Sequence, residues 1–511
     1  MLLFESTLTL ILVAIVLLQV SRKLAIPYPA MLAMAGVGVA ALPWAPDIAI
    51  DPHLALALFI APALLDAGFD FPPRAVRRFW LPLIALAAVA VVLTTAAVAW
   101  LGVAWGLPMA AAIALGAIVA PPDAAAASAM LARLSLPRRT VTVLKGESLL
   151  NDATSLLIFG AAVAAASAPD ALADLAPELA LAVPGGLIFG ILIGRAYVLI
   201  APRLAGTLGG TLFEFVATFG VWIVAERLHL SPILSVVAYA MTIAHFLPAI
   251  TAPRHRVHSY AVWEAAVFLL NVIAFLLMGL QAREIVGRLD AGELNDALVF
   301  AAIVLGVVVA VRVVWVMFYN RAVNWSGAYG TGKAPTIAQG LVVSWCGMRG
   351  LVTLATALAL PAGFPERDLI VLSALAVVLG TLVIQGLTLG PLIRVLGFTR
   401  DTSFDSEVAA GRVALIDAGL ASLDSKDADA TARLRADFAA ERAAAEAGSD
   451  PRAILEIDRL RRRTIAAKRT ALAGLRRSGE MEDDVFHALE EELDWDELAV
   501  TPADRLGMEE G

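Results

Sequence analysis

The chain has 511 residues, 60% of them hydrophobic, a mean hydropathy of +0.80 and a formal net charge of −8. That excludes an ordinary water-soluble enzyme with a polar surface, and a lipid bilayer has to be the solvent. The charge is segregated: residues 1–400 are sparsely charged and slightly basic, whereas from about residue 401 acidic residues outnumber basic ones by about ten. The expected division is a membrane body, 1–398, and a charged, soluble helical tail, 399–511. The single cysteine, Cys346, excludes a disulfide framework and reads as a small buried residue. No nucleic-acid partner is expected.

In chain order, the first apolar run, Leu8 to Val20, has neither a basic leader nor a small-residue cleavage site. It reads as a retained span. Segments of the length needed to cross a hydrocarbon core of about 30 Å recur through the first 400 residues. Their approximate limits are 5–20, 26–43, 53–70, 80–102, 108–131, 142–168, 179–201, 207–226, 231–249, 260–282, 295–319, 335–361 and 368–397. Each should be a helix, because backbone in lipid has to satisfy its own N–H and C=O groups. The expected fold is therefore an all-α polytopic membrane protein of about thirteen transmembrane helices.

Alternate loops carry Arg22 and Lys23; Arg74, Arg77 and Arg78; Arg133, Arg138, Arg139 and Lys145; Arg195 and Arg203; Arg254 and Arg256; Arg321 and Lys333. The loops between them hold only Arg227, Arg283, Arg288 and Arg367. Since cytoplasmic loops retain Lys and Arg, this bias places the N-terminus outside and, after an odd number of spans, the tail in the cytoplasm.

An ionisable side chain at bilayer depth is costly unless it faces a cavity or a partner. Those that fall inside the spans are Asp66, Asp123, Glu147, Asp152, Glu264, Arg312 and Arg349. Glu264 and Arg312 lie near span ends, where they can snorkel, and Asp66 near the inner end of its span reads equally as an interface residue. Asp123 follows Pro121 and Pro122 in mid-span, where proline removes hydrogen-bond donors and breaks the helix. Interrupted helices are tolerated where they line a cavity, and they hold the coupling ions of secondary transporters. In the next span Ser148, Asp152 and Ser155 share one helical face while Glu147 and Asn151 share the adjacent one. A second interruption is expected at Gly347, Met348, Arg349 and Gly350. Buried Arg349 calls for a buried carboxylate, and Glu147 is the expected partner.

These stretches resemble the bacterial monovalent cation:proton antiporters of the Na+/H+ exchanger type. The resemblance rests on Pro121 to Asp123, the run Gly146 to Thr154, Trp263 and Glu264 through Gly279 to Gln281, Gly347 to Thr353, and Gln385 to Thr388. It implies thirteen spans, two of them unwound and crossing, a homodimer and residence in the bacterial inner membrane. It further implies that Asp152 binds the cation or protons, that Asn151 orients it, that Ser148 adds an oxygen ligand, and that Asp123, with Pro122 beside it, completes the polar centre. Asp152, Asp123 and Ser148 would thus meet the metal ion that is carried, and Glu147 with Arg349 would be the structural pair. Many relatives have Thr-Asp-Pro where Pro122, Asp123 and Ala124 stand, so a threonine oxygen is missing here. Relatives also place a glutamate in the third span with which Asp66 does not align cleanly.

Exchange needs one site that is either deprotonated and cation-filled or protonated and empty, and a carboxylate made easier to protonate by burial meets that need. Oxygen ligands suit a hard cation: Na+ first, with K+ or Li+ as alternatives, and no cofactor beyond the transported Na+ and H+. One-for-one, electroneutral exchange is expected from Asn151, because electrogenic relatives carry two adjacent aspartates there. A cation channel would also line its pore with carboxylates. An intramembrane protease is disfavoured: His229, His245 and His255 sit near loops and there is no Gly-x-Ser-x-Gly elbow. In the tail, Leu434 to Glu446 and Leu455 to Leu475 read as charged helices, with Arg459, Arg461, Arg462 and Arg463 opposed by Glu490, Glu491, Glu492, Asp494 and Asp496.

Overall fold

The computed structural model describes residues 51–69, 71, 73–123, 137–167, 172–204, 207–247, 253–327, 335–398, 403–422, 451–478 and 483–499, with a few single residues elsewhere. The expected spans 5–20 and 26–43, the second half of 108–131 and most of the expected helix Leu434 to Glu446 lie outside the described residues. The chain divides into two compact units, Met1–Thr399 and Arg400–Glu510.

In the first unit the described residues are helical, without strands. The helices are α1 Pro52–Phe69, α2 Pro73–Trp105, α3 Met109–Val119, α4 Arg138–Ser167, α5 Leu172–Leu204, α6 Leu208–Arg227 and α7 Pro232–Phe246. They continue as α8 Pro253–Arg288, α9 Ala291–Ser326, α10 Ile337–Trp345, α11 Leu351–Leu358 and α12 Arg367–Leu396. Among the described residues seven helices are long and apolar enough to cross a membrane. Their ends are set by local chemistry. Asp290 with Glu293, and Thr336 with Gln339, form capping boxes that open α9 and α10 by satisfying otherwise orphaned N–H groups. Gly106, at φ 104°, closes α2 in a left-handed conformation that other residues rarely adopt.

Helix α7 packs between α5 and α1, α3 packs between α2 and α4, and α9 lies against α2, α10 and α12. The α5–α7 approach uses Gly186, Gly190 and Gly194, spaced four apart. A Cβ on each would run into Ser231, Ser235 or Thr242 across the interface. In lipid, where apolar surface alone gives no drive to associate, such close backbone approach supplies the contact. Among the described residues two helices contain a π turn, Ala85–Val89 in α2 and Thr381–Gln385 in α12. The Trp315 indole of α9 donates to the Ala85 carbonyl at 2.8 Å, using an acceptor in the first of them.

The second unit contains α13 Ser403–Ser422, α14 Pro451–Ser478 and α15 Asp483–Ala499. Ile465, Leu472 and Leu493 form a small apolar seam between α14 and α15, flanked by Leu489. Arg469 reaches both Asp494 and Glu497, and Lys468 lies 3.6 Å from Asp496. The ion pairs to the acidic helix are thus made by Lys468 and Arg469, one to two turns beyond the expected basic run Arg459 to Arg463. These ion pairs are solvent-exposed and hold register more than they add stability.

Candidate functional site

The end of one helix and the interruption of another meet in the membrane body. The first follows α3, where Ala120 to Asp123 leave the helix; the second is Cys346 to Gly350, between α10 and α11. At the junction the Asp123 amide donates to the Met348 carbonyl at 2.6 Å. In return the Leu351 amide, at the start of α11, donates to Asp123 Oδ2 at 3.2 Å. A helix N-terminus carries partial positive charge, so the half-buried Asp123 carboxylate sits where that charge stabilises it.

The mirror arrangement is made by Arg349, 1% exposed. Its Nε donates to the Val119 carbonyl at 3.0 Å and its Nη2 to Ala120 at 3.3 Å, while Nη1 donates to Gly347. A guanidinium thereby covers the carbonyls that end α3 and those released after α10, both negative dipole ends. The interruption is held from a third side by Thr381 of α12, whose Oγ1 accepts from the Arg349 amide at 3.1 Å. Gly350 is required by this closeness, since a Cβ there would overlap the Asp123 carboxylate. Gly350→Ala is expected to cut exchange roughly 10²-fold, the scale of a 1 Å misplacement in a preorganised site. Gly160→Ala, on an open face of α4, is the control and should leave activity unchanged. Equal exchange rates for the two variants would show that Asp123 does not need this position.

Helix α4 brings the remaining groups. Asn151 Nδ2 donates to the Pro122 carbonyl at 2.7 Å and Ser155 Oγ to the Ala117 carbonyl at 2.7 Å, so two buried side chains fasten α4 along α3 and its broken end. Pro122, which has no N–H of its own, contributes the acceptor. Between them Asp152 is 6% exposed, makes no hydrogen bond among the described residues and feels the charge of Asp123. Asn151 Oδ1 is also unpartnered. Ser148, one turn before Asp152 on the same face, is half-buried. Asp66 lies exposed near the end of α1, in contrast to the buried groups around the junction.

The ion pair differs from the expectation. Glu147 is bound by Arg312, not Arg349: Arg312 Nη1 and Nη2 reach the two Glu147 oxygens at 2.5 and 3.1 Å, and Nη2 also donates to the Val343 carbonyl at 3.0 Å. Arg312 is 3% exposed and does not snorkel. The reason is geometric: Arg349 is spent on backbone carbonyls, and α9 delivers a second guanidinium to α4 and α10. Sequence reasoning also passed over Glu214 of α6, a buried carboxylate that accepts from Ser259 and from Trp263 Nε1, the latter at 3.0 Å. Its acidic side chain within the span 207–226 was the available signal. No group of three or more His, Cys, Asp or Glu side chains suited to a metal occurs among the described residues.

The chain matches the sodium/hydrogen exchanger transmembrane family over residues 8–395. An uncharacterized Na+/H+ exchanger of Mycobacterium tuberculosis is 33% identical over 414 residues, covering 77% of this chain and 75% of its own. A sodium, potassium, lithium and rubidium/H+ antiporter of Bacillus subtilis is 30% identical over 395 residues, covering 71% of this chain and 57% of its own. Among solved structures, the sodium proton antiporter MjNhaP1 from Methanocaldococcus jannaschii aligns with a TM-score of 0.59 at 16% identity, over 78% of this chain and 100% of its own, a likeness of fold.

Proposed function

The chain belongs to the sodium/hydrogen exchanger family, and from that premise we propose a cation:proton antiporter in which Asp152 is the exchanging carboxylate and Asp123 a fixed one. The observation that carries this division is the difference in their surroundings. Asp123 caps α11 through the Leu351 amide, whereas buried Asp152 accepts no hydrogen bond among the described residues and is open to a proton or a cation. Asn151 and Ser148 stand beside it to orient the ligand and supply oxygen. Arg349 and the Glu147–Arg312 pair neutralise the broken backbone and the neighbouring charge, so that only one group changes occupancy. Na+ is the first expected cation and K+ or Li+ the alternatives. The protein would span the bacterial inner membrane thirteen times as a homodimer, with the N-terminus outside and the tail cytoplasmic. The supports for this are the charged-loop alternation and the family's pattern.

One titrating carboxylate, cancelled by either one proton or one monovalent cation, moves no net charge per cycle. Exchange is therefore expected to be electroneutral. The test uses proteoliposomes carrying a pH dye, with each alkali cation added in turn and the membrane potential clamped by K+ and valinomycin where K+ is not a substrate. Rates should be independent of the clamped voltage. A voltage-dependent pH change would mean that Asp123 titrates together with Asp152 as a coupled pair. Flux without any proton counterflow would indicate a channel.

A further inference from the structure

Among the described residues several buried side chains have one polar atom without a hydrogen-bond partner, and Gln385 has two. Gln385 is 1% exposed, and neither its Oε1 nor its Nε2 has a hydrogen-bond partner among the described residues. A buried amide without partners is destabilising, and native structures satisfy such groups with protein or with ordered water.

Its location gives this orphan a meaning. Gln385 closes the π turn Thr381–Gln385, a local widening of the helix that occurs often at functional positions. Four residues earlier, Thr381 Oγ1 accepts from the Arg349 amide at 3.1 Å. Three residues later, Thr388 Oγ1 accepts from the Trp345 indole at 2.8 Å. Those two contacts bracket the interruption between α10 and α11. Thr381, Gln385 and Thr388 recur at the spacing of one helical face, which therefore runs along the broken backbone. By register, Gln385 falls between the two α12 threonines that reach Trp345 and Arg349.

The ligand follows from the two atoms left open. A cation would satisfy Oε1 and be repelled by the Nε2 protons; an anion would do the reverse. Water both accepts and donates, and a buried water makes about three hydrogen bonds to polar groups of this kind. We propose that Gln385 is a positioning residue that ties the α10–α11 interruption to α12 through bound water. The inference rests on the antiporter reading, since the interruption is taken to rearrange as the site changes the side it faces. Water can exchange partners during that step where a direct side-chain bond would have to break.

The test compares wild-type protein with Gln385→Met, which keeps the length and removes both polar atoms. Three quantities are read on the full chain: solvent density at the amide in a high-resolution map of the wild type, the thermal midpoint, and exchange kinetics in proteoliposomes. Expected are a solvent peak within hydrogen-bond distance of Gln385 and a turnover about five- to tenfold lower in the variant, the scale of one neutral hydrogen bond, with the cation KM within about twofold. An absent peak overturns the proposal. So does a higher midpoint with unchanged turnover, which marks a dry amide, or a lower midpoint with unchanged turnover, which marks a purely structural role. A large change in KM would make Gln385 a cation ligand and also overturn it. Wild-type protein that does not exchange cations for protons would refute the antiporter reading instead, and the solvent density would still judge the water.

Discussion

Asp152→Asn is expected to reduce cation-driven proton movement to the level of empty liposomes while the protein still inserts and folds. The amide has the carboxylate's shape, so packing on α4 is preserved, and the helix remains fastened to α3 by Asn151 and Ser155. What is lost is the ability to release a proton and to balance a cation. Asp123 does not replace it, because its carboxylate is engaged at the start of α11 and would have to leave that amide to take over. The measurement is cation-driven dequenching of a pH dye in proteoliposomes, with the thermal midpoint recorded in parallel. Wild-type exchange by this variant would remove Asp152 from the site. A collapsed midpoint would assign it a structural role.

The sequence made the membrane body legible because lipid imposes two requirements on it, apolar length and internally satisfied backbone. Described helices fall at the expected spans 53–70 through 368–397; α3 ends just before Pro121 and Pro122, and the Gly347 to Gly350 run separates α10 from α11. The meeting of the two follows less directly. Arg349 calls for a buried carboxylate, but a sequence does not reveal that its acceptors will be backbone. Carbonyls of Val119, Ala120 and Gly347 fill the role assigned to Glu147. The depth of Arg312 is likewise a matter of packing. Its nearness to a span end favours snorkelling, whereas depth in a bundle depends on which face of α9 packs inward. Gln385 belongs to the stretch that resembles the family, but its missing partners are a tertiary fact. Gly350 likewise read as a helix breaker and has a second reason, the carboxylate lying against it.

The largest effect on stability is expected at the Glu147–Arg312 pair. Arg312→Met should lower stability by roughly 3–5 kcal/mol, the cost of stranding one member of a buried ion pair. The pair joins α4, α9 and α10 at once: a two-pronged contact to Glu147 and a third bond to the Val343 carbonyl. Gly347 lies against the same guanidinium, where a Cβ would overlap its stem, so the interruption between α10 and α11 is shaped around Arg312 as well as around Asp123. Restoring charge balance by removing both ends, Glu147→Leu with Arg312→Met, should recover part of the loss, because well-packed apolar replacements of buried pairs are often neutral or stabilising. Arg349→Ala should behave differently. It strands no carboxylate directly bonded to it, so Glu147→Leu should not rescue it, and its main expected consequence is a disordered junction and lost exchange. The measurement is a pair of double-mutant cycles on thermal or denaturant stability, Glu147 with Arg312 and Glu147 with Arg349. The first should show a coupling of about 2 kcal/mol or more and the second clearly less, its only link being charge acting through space. A double variant as unstable as Arg312→Met alone, or equal couplings in the two cycles, would mean that the fold does not depend on Arg312 as the partner of Glu147.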